Sequence, residues 1–293
     1  MPEPASSPTL RRRELGTRLR ELRLERGLTV EQVAEQLLCS ASKVSRMETG
    51  HRGATARDVR DLCALYEVTD PVERDYLTRL AREGKEQGWW QNFDLGNMST
   101  FVGLEDAAIA TKYYQTSIIP GLLQTADYAR VMHSTRIPPF TPERVDELVE
   151  VRLKRQHLLT REPALQLQAV VDEAVLQRAT GGPRVMEAQL AHLIEASSLP
   201  NVVLQIIPFK AGAHPAMDSA FRILEFGDPV PDVVYVEGLV GNIYVEKAQD
   251  LEMYRGVFDR LVEQALDPQD SIDLIRKIRA QYLHAADHDV SNT

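Results

Sequence analysis

The sequence predicts two domains: an all-α N-terminal head of five helices, followed by a mixed α+β C-terminal domain. Three observations lead to this prediction. The chain has 293 residues, which exceeds the usual size of a single core. Apolar residues recur at helical spacing through the first 85 residues, whereas short segments rich in Val, Ile and aromatic residues appear only after residue 160. The hydrophobic fraction of 43% is that of an ordinary folded protein, so we expect a packed core in each domain.

The five helices of the head follow from apolar spacing and from capping residues. They are predicted at 10–27, 29–37, 40–50, 55–66 and 71–83. Thr29 and Ser40 are expected to cap the second and third helices through their hydroxyl groups. The head domain is therefore predicted at 10–85, after a flexible leader at 1–9.

The remaining chain changes character after a segment at 86–100 that loses its periodicity and is interpreted as interdomain. The C-terminal domain is predicted at 101–285, followed by a tail at 286–293. Its strands are expected at 164–171, 202–209, 220–226, 232–238 and 242–247. Its helices are expected at 104–115, 125–133, 143–160, 172–179, 184–197, 248–266 and 270–284.

Charge is distributed unevenly along the chain. Residues 1–60 contain 12 of the 34 Lys and Arg but only 8 of the 43 Asp and Glu, although the whole chain has a net charge of -9. A basic head on an acidic body is expected when one end of a protein meets phosphate and the other meets protein or solvent. Chance clustering of arginines is the alternative explanation.

The two short helices at 28–50 (LTVEQVAEQLLCSASKVSRMETG) are typical of a helix-turn-helix, which sets its second helix into the DNA major groove. The contact between them is predicted to involve Val33, Ala34, Leu37, Val44 and Met47. The exposed side of the second helix of the pair would then present Ala41, Ser42, Lys43, Ser45 and Arg46, which are short or basic residues suited to base edges and phosphates. Arg52 and Arg57 are expected to contact backbone phosphate. A helical hairpin used only for protein contact is the alternative interpretation.

This segment resembles the Xre/Cro-type helix-turn-helix family. The matching positions are Leu28, Thr29, Ala34, Ser40, Ser42, Ser45, Arg46, Glu48 and Gly50. The resemblance implies that Ala41, Ser42 and Arg46 read bases. It also implies an internal pair between Glu48 and Arg23 of the first helix.

Two residues depart from the family pattern. The family often has a phosphate-binding glutamine directly after the opening threonine, where this chain has Val30. It also has a glycine in the turn, where this chain has Leu38. The departures concern one backbone contact and the geometry of the turn.

The C-terminal domain contains four characteristic phrases: IIPGLLQTADYAR at 118–130, VRLKRQHLL at 151–159, VVDEAVLQR at 170–178 and NVVLQIIPF at 201–209. They resemble a second family, the large domain of unassigned function behind Xre-type heads in actinobacterial, WhiJ-like and antitoxin-like regulators. The resemblance implies a small partner protein encoded nearby and a link to developmental control. It implies no ligand chemistry.

Two stretches of the C-terminal domain admit a structural and a functional interpretation. The turn at 120–123 could form a hydrophobic docking surface, but we favour a core turn packed against the sheet. Arg152, Lys154 and Arg155 could form a DNA-binding face, but we favour a solvated face that pairs with neighbouring glutamates.

No motif of the chain predicts catalysis or cofactor binding. The seven histidines and two cysteines match no metal-ligand spacing, and no GxGxxG, GKS/T or GxSxG pattern is present. Cys39 and Cys63 are interpreted as reduced, small hydrophobic residues. We therefore expect no metal, no cofactor and no enzyme. The lack of an apolar run that could be a signal peptide or a membrane span predicts a cytoplasmic protein with no membrane partner.

The sequence thus predicts a sequence-specific DNA-binding transcriptional regulator, whose C-terminal domain senses a small partner protein or a ligand. The alternative is an antitoxin-type module whose main role is to bind a small partner protein, and an enzyme with a DNA-binding head is a third possibility. Double-stranded DNA is the expected partner, and a homodimer on an inverted repeat is expected because one short helix reads few base pairs. The dimer contact could come from the acidic body or from an apolar stripe of the closing helices, formed by Leu251, Tyr254, Phe258, Leu261 and Leu266. That stripe could equally be core.

Overall fold

The computed structural model describes the backbone of residues 7–291 and the side chains of residues 7–286. The chain forms two compact units. The first extends to Ala108 and includes Phe226–Asp232, and the second comprises Ile109–Glu225 and the chain from Val233 onward.

The first unit is all helical and contains the five helices expected for the head. They are α1 (Pro8–Glu25), α2 (Val30–Gln36), α3 (Ala41–Glu48), α4 (Ala56–Leu65) and α5 (Pro71–Glu83). The predicted caps are confirmed, because the hydroxyl groups of Thr29 and Ser40 accept hydrogen bonds from backbone N–H groups of α2 and α3. The unit adds a sixth helix, α6 (Met98–Ala107).

The start of α1 corrects the predicted leader. The helix begins at Pro8, and both Pro8 and Thr9 are buried. Proline is well suited to the first helical position, because its missing N–H would have no intrahelical partner there. The rest of the predicted leader, at 1–6, lies outside the described residues.

The segment at 86–100 is part of the first unit. It contains a 3-10 turn at Trp89–Asn92. The ring of Trp90 is almost completely buried, and the indole Nε1 of Trp89 donates to Oδ1 of Asp106 on α6 at 3.0 Å. The two indoles therefore attach this segment to α6.

The second unit is built on a six-stranded mixed sheet. Its strands are β1 (Ala110–Gln115), β2 (Gln166–Asp172), β3 (Val202–Ile207), β4 (Phe221–Glu225), β5 (Val233–Glu237) and β6 (Asn242–Val245). They lie in the order β3-β2-β1-β4-β5-β6, in which β1, β2 and β3 are mutually parallel and the other pairings are antiparallel. All five predicted strands are present.

Six helices accompany the sheet: α7 (Ala126–Ser134), α8 (Pro142–Gln156), α9 (Glu173–Gln177), α10 (Pro183–Ala196), α11 (Ala248–Gln264) and α12 (Pro268–Ser291). The chain is therefore a helical head followed by an α+β region, as the sequence predicts. Helix α12 continues through the predicted tail at 286–293 as far as Ser291, and the last two residues of that tail lie outside the described part of the chain.

Strand β1 was not predicted, because the helix expected at 104–115 covers it. The helix α6 ends at Ala107, and the chain then enters β1, which lies between β2 and β4 near the middle of the sheet. Tyr113 and Tyr114 are both completely buried although they point to opposite faces. A strand covered on both faces shows no alternation of polar and apolar residues, so its sequence lacks the usual signal.

Two structural interpretations are confirmed by burial. In the turn at 120–123, Leu122 and Leu123 are buried, and Tyr128 on α7 is buried behind them. In the closing stripe, Phe258 and Leu261 are completely buried in the core that α11 forms with the sheet. Leu251, Phe258 and Leu261 of the stripe are therefore core, whereas Tyr254 and Leu266 are half-buried.

Among the helices of the described part of the chain, none has the length and the apolar composition needed to cross a membrane.

Candidate nucleic-acid interface

The helix-turn-helix is built from α2, a four-residue turn and α3. Thr29 forms a capping box with Gln32, in which each side chain accepts a hydrogen bond from the backbone N–H of the other residue. Ser40 Oγ accepts from the backbone N–H of Lys43 at 3.2 Å and starts α3. Val33 and Val44 are almost completely buried where the two helices meet. The predicted contact between the helices is therefore present.

The turn contains Leu38 in a left-handed conformation with φ of 50°, which an L side chain rarely adopts. Its side chain is 93% exposed, so no packing compensates for the strain. Leu38 occupies the position for which the resemblance implies a glycine. The left-handed backbone at this position is therefore formed with a leucine, whose side chain adds local strain.

The third helix packs directly on α1 at Gly16. A Cβ atom at this position would lie 2.5 Å from the carbonyl oxygens of both Met47 and Glu48. Only glycine allows this approach between the helix backbones, because no side-chain movement can relieve a clash with backbone atoms. A glycine inside a helix predicts no specific contact, so the role of Gly16 is not evident from the sequence.

An ion pair fixes the same contact between α1 and α3. Arg23 donates from Nε to Oε1 of Glu48 at 2.7 Å and from Nη2 to Oε2 at 2.9 Å, and its Nη1 donates to the carbonyl of Leu28 at 2.7 Å. Both charged side chains are buried, with exposures of 9% and 6%. The hydrogen bonds from Arg23 to Glu48 outweigh desolvation and raise the pKa of the guanidinium above its ordinary value. The residues that the resemblance pairs are thus in bidentate contact.

The outer face of α3 presents Ser42, Ser45 and Arg46, all of which are exposed. Ala41, at the first position of the helix, is half-buried and packs against the core of the head. The face therefore offers two hydroxyl groups and one guanidinium to a partner. These side chains can donate to base edges or phosphate oxygens.

Lys43 differs from its neighbours on α3, because its ammonium group contacts Oδ1 of Asp58 on α4 at 2.5 Å. Burial raises the pKa of Asp58, but the hydrogen bonds from Lys43 and Thr55 outweigh it, and the net pKa is lowered. Asp58 also caps α4 through a reciprocal pair with Thr55. Lys43 therefore connects α3 to α4, a contact that the sequence analysis did not foresee.

The two arginines expected on phosphate lie after α3. The backbone N–H of Arg52 donates to the carbonyl of Arg46 at 2.9 Å, which folds the loop back onto the end of α3. Arg52 is exposed. Arg57 lies at the start of α4, is 83% exposed and has its Nε 3.6 Å from Oδ2 of Asp61. An ion pair this exposed leaves the guanidinium accessible to a stronger anion.

One buried arginine of the head was missed by the sequence analysis. Arg13 on α1 donates to the carbonyl of Thr49 at 3.4 Å and to that of Pro231 at 3.1 Å, and it lies over the ring of Phe226. Gly50 permits this contact, because its φ is 71° and a Cβ there would lie 2.7 Å from Cγ of Arg13. The partners are distant in sequence, so no local pattern could have indicated them.

The basic residues of α8 divide between surface and interior. Lys154 pairs with Glu150 at 2.7 Å, as a solvated helix face should. Arg155 is only 2% exposed, and Arg152 is half-buried. The interpretation of all three as a solvated face is therefore wrong for Arg155, and Arg152 is only partly solvated because its guanidinium packs at Gly121.

Metal binding and thiol chemistry can also be assessed in the described residues 7–286. Within that part of the chain, no group of His, Cys, Asp and Glu could hold a metal ion. Cys39 and Cys63 are free thiols, and burial raises the pKa of the Cys63 thiol.

A small helical unit with a capped, exposed helix after a tight turn defines a helix-turn-helix protein. The comparison with known families agrees: the family described as "Helix-turn-helix domain" matches residues 14–77. The family described as "Domain of unknown function (DUF5753)" matches residues 98–277, which is more than half of the chain. The protein belongs to this DUF5753 family. No curated protein and no solved structure matches the chain.

The helix-turn-helix domain suggests a DNA-binding regulator. The match over 98–277 adds no biochemical activity, because that family is of unknown function.

Proposed function

We propose that the protein is a sequence-specific transcriptional regulator of the Xre type that inserts α3 into the DNA major groove. The observation that carries this proposal is the exposed face of Ser42, Ser45 and Arg46 on a helix that is held rigidly from behind. The Arg23–Glu48 pair and the Lys43–Asp58 pair fix α3 against α1 and α4. A preorganised helix keeps its orientation on DNA without an additional ordering cost.

The residues have distinct roles in this proposal. Ala41, Ser42 and Arg46 read bases, and Arg46 has the longest reach and the most donors of the three. Arg52 and Arg57 contact phosphate and set the register of the protein on the duplex. Lys43 keeps α3 in position through Asp58.

A homodimer on an inverted repeat is part of the proposal. A single helix of eight residues, Ala41–Glu48, contacts too few base pairs to select a site in a genome. Two copies about 34 Å apart would read two half-sites on one face of the duplex. Because Leu251, Phe258 and Leu261 of the closing stripe are buried in the core, we place the dimer contact on another surface of the acidic body.

The C-terminal domain is proposed to sense a small partner protein or a ligand, as in WhiJ-like regulators. One observation supports a protein partner and the antitoxin-type alternative. The hairpin between β5 and β6 exposes Leu239 by 99% and Val240 by 95%, and Ile243 on the edge strand β6 is 61% exposed. Exposed apolar residues beside an unpaired strand edge are a common site of protein contact.

The experiment that tests the proposal compares three variants on the strongest sites from a genome-wide binding map of the full-length protein. Arg46→Ala should cost about 1 to 3 kcal/mol per half-site and relax the base preference. Arg52→Ala should weaken binding to all DNA sequences alike. It should also reduce the slope of log K against log salt concentration by about 1, because one phosphate contact is lost. Arg82→Ala, an exposed arginine near the end of α5, is the matched control and should leave the affinity unchanged.

Footprinting and analytical ultracentrifugation on the same sites test the dimer. A symmetric footprint with two half-sites is the expected result. Equal affinity of the wild type and the Arg46→Ala variant would refute the role of α3. A monomer that protects one half-site at full affinity would refute the dimer.

A further inference from the structure

Five arginines of the second unit gather around the ends of α7 and α8 and the strand β4. This arginine cluster consists of Arg136, Arg144, Arg152, Arg155 and Arg222. Four of its members lie between residues 136 and 155, and the fold brings Arg222 to them from another part of the chain. Arg155 and Arg222 are buried, with exposures of 2% and 6%.

The geometry of the cluster is defined from two sides. Arg222 lies between the rings of Tyr113 and Tyr235, with its Cζ 5.1 Å and 5.2 Å from their centroids. On the other side, a Cβ at Gly121 would lie 2.5 Å from Nη1 of Arg152 and 3.4 Å from Nη2 of Arg155. The turn at Gly121 thus allows the backbone to approach two guanidinium groups at once.

A buried histidine lies within the field of the cluster. His133 on α7 is 7% exposed, and its Nε2 has no hydrogen-bond partner. Burial is the largest cause that lowers the pKa of His133, and together with the charges of Arg152, Arg136, Arg155 and Arg144, in decreasing order, it brings the pKa to about 4. The imidazole is therefore neutral at neutral pH, and its buried Nε2 can exchange a hydrogen bond with a ligand.

The carboxylates of Glu237 and Glu147 contact members of the arginine cluster. Glu237 accepts from Nη2 of Arg222 at 3.1 Å and lies 3.8 Å from Nη2 of Arg136, and Glu147 pairs with Arg144. Burial raises the pKa of Glu237, but the attraction of Arg222, Arg152 and Arg136 outweighs it and lowers the net pKa. The positive charge of the arginines therefore favours anions, and it lowers the pKa of both an acid, Glu237, and a base, His133.

We propose that the arginine cluster is the binding site for a small anion that carries a phosphate or carboxylate group. The planar guanidinium matches both groups, because its parallel N–H donors bind two oxygens at once. Like charges this close cost free energy in a poorly solvated interior, and a bound anion removes that cost. Arg136 is 46% exposed and Arg152 is half-buried, so the site opens to solvent on their side.

The binding itself does not depend on DNA, whereas its use as a regulatory signal rests on the proposed function. In that case the anion would be the effector, and its occupancy would change the affinity of the full-length protein for its operator. Coupling between two sites is reciprocal, so DNA would change the affinity for the anion by the same factor.

The test is isothermal titration calorimetry of the full-length protein with two probes, inorganic phosphate and citrate, at an ionic strength held constant with sodium chloride. Saturable binding of one anion to one site per chain is expected, and the tighter probe identifies the preferred group. Arg152→Gln and Arg136→Gln should each weaken this binding at least tenfold. Gly121→Ala keeps every charge but displaces the head of Arg152, and it should weaken binding too.

Controls separate the site from general charge and from DNA contacts. Arg178→Gln, on an exposed arginine outside the cluster, should bind the anion like the wild type. Arg46→Ala and Arg52→Ala should also bind it like the wild type, which excludes phosphate bound to the head. Each variant is compared with the wild type by thermal unfolding without anion, so that a folding defect is recognised.

The proposal would be overturned if neither probe binds saturably with a Kd below about 10 mM, since cellular metabolites bind with Kd values well below this. It would also be overturned if binding survives Arg152→Gln and Arg136→Gln in folded protein. Anion binding without any operator binding would refute the proposed function and leave the site intact. Operator binding without anion binding would do the reverse.

Discussion

The buried pair between Arg23 and Glu48 gives the sharpest prediction for the head. Glu48→Ala removes two charge-assisted hydrogen bonds, of 2.7 and 2.9 Å, and leaves the Arg23 guanidinium with the carbonyl of Leu28. Each such bond is worth about 1.5 to 3 kcal/mol. Loss of one partner from a buried ion pair costs about 3 to 5 kcal/mol, because the remaining charge stays desolvated. We therefore expect the first unit to lose about 3 to 5 kcal/mol of stability.

The expected loss of stability depends on the unpaired charge left on Arg23 and not only on the missing contact. The double variant Arg23→Met with Glu48→Leu removes both charges and keeps the apolar volume. Its stability should lie within about 2 kcal/mol of the wild type, since replacing a complete buried pair is often neutral. The double variant should then be more stable than Glu48→Ala, although it carries more changes.

Urea unfolding of the full-length protein, followed by tryptophan fluorescence, measures this effect. Both tryptophans of the chain, Trp89 and Trp90, lie in the first unit, so the signal reports on that unit. The matched control is Arg79→Ala, which removes an exposed pair with Glu83 on α5 and should cost less than about 1 kcal/mol. A loss below about 1 kcal/mol for Glu48→Ala, or a double variant less stable than the single one, would refute the reasoning.

Three further predictions follow from the structure. Gly16→Ala should destabilise the first unit by about 2 kcal/mol or more, because the cost of overpacking against the carbonyl oxygens of Met47 and Glu48 exceeds the gain in helix propensity. An unchanged urea midpoint would contradict this. Leu38→Gly should stabilise the same unit by about 0.5 to 1 kcal/mol, because the relief of left-handed strain exceeds the entropic cost of ordering a glycine on folding. A lower urea midpoint would contradict this. The pKa of His133 is lowered to about 4, below its value of 6.5 in the unfolded chain, so the unfolded state binds more protons between these values. The free energy of unfolding of the second unit should therefore fall by up to about 3 kcal/mol as the pH falls from 6.5 to 4. Thermal unfolding followed by far-UV circular dichroism should show a smaller loss of stability for His133→Gln than for the wild type.

Several features of the protein can be derived from local sequence. Helix starts depend on residues within four positions, so Thr29 and Ser40 indicated the beginnings of α2 and α3. The apolar periods of the head and the five Val- and Ile-rich segments likewise reflect neighbouring residues only. Together they define a helical head and an α+β region, and they place the candidate DNA-reading face on α3.

Other features were decided by tertiary structure. Strand β1 has no alternating pattern because its two faces are both covered, and only its partners β2 and β4 identify it as a strand. Lys43 has the same local pattern as an exposed lysine, yet Asp58 from another helix holds its ammonium group. The role of Gly16 likewise depends on a backbone 31 residues away, at Met47.

The arginine cluster shows the same limit most clearly. In sequence, Arg152 and Arg155 lie among glutamates at helical spacing and predict a solvated face. In the fold, they point toward Gly121 and share the field around His133 with Arg136 and Arg144. A local pattern records which residues share a helix face, but what covers that face depends on chain segments far away in sequence. The sequence by itself therefore determined the five helices of the head, five of the strands and most of the exposed face of α3, and only the packing of distant segments decided which charges are buried together.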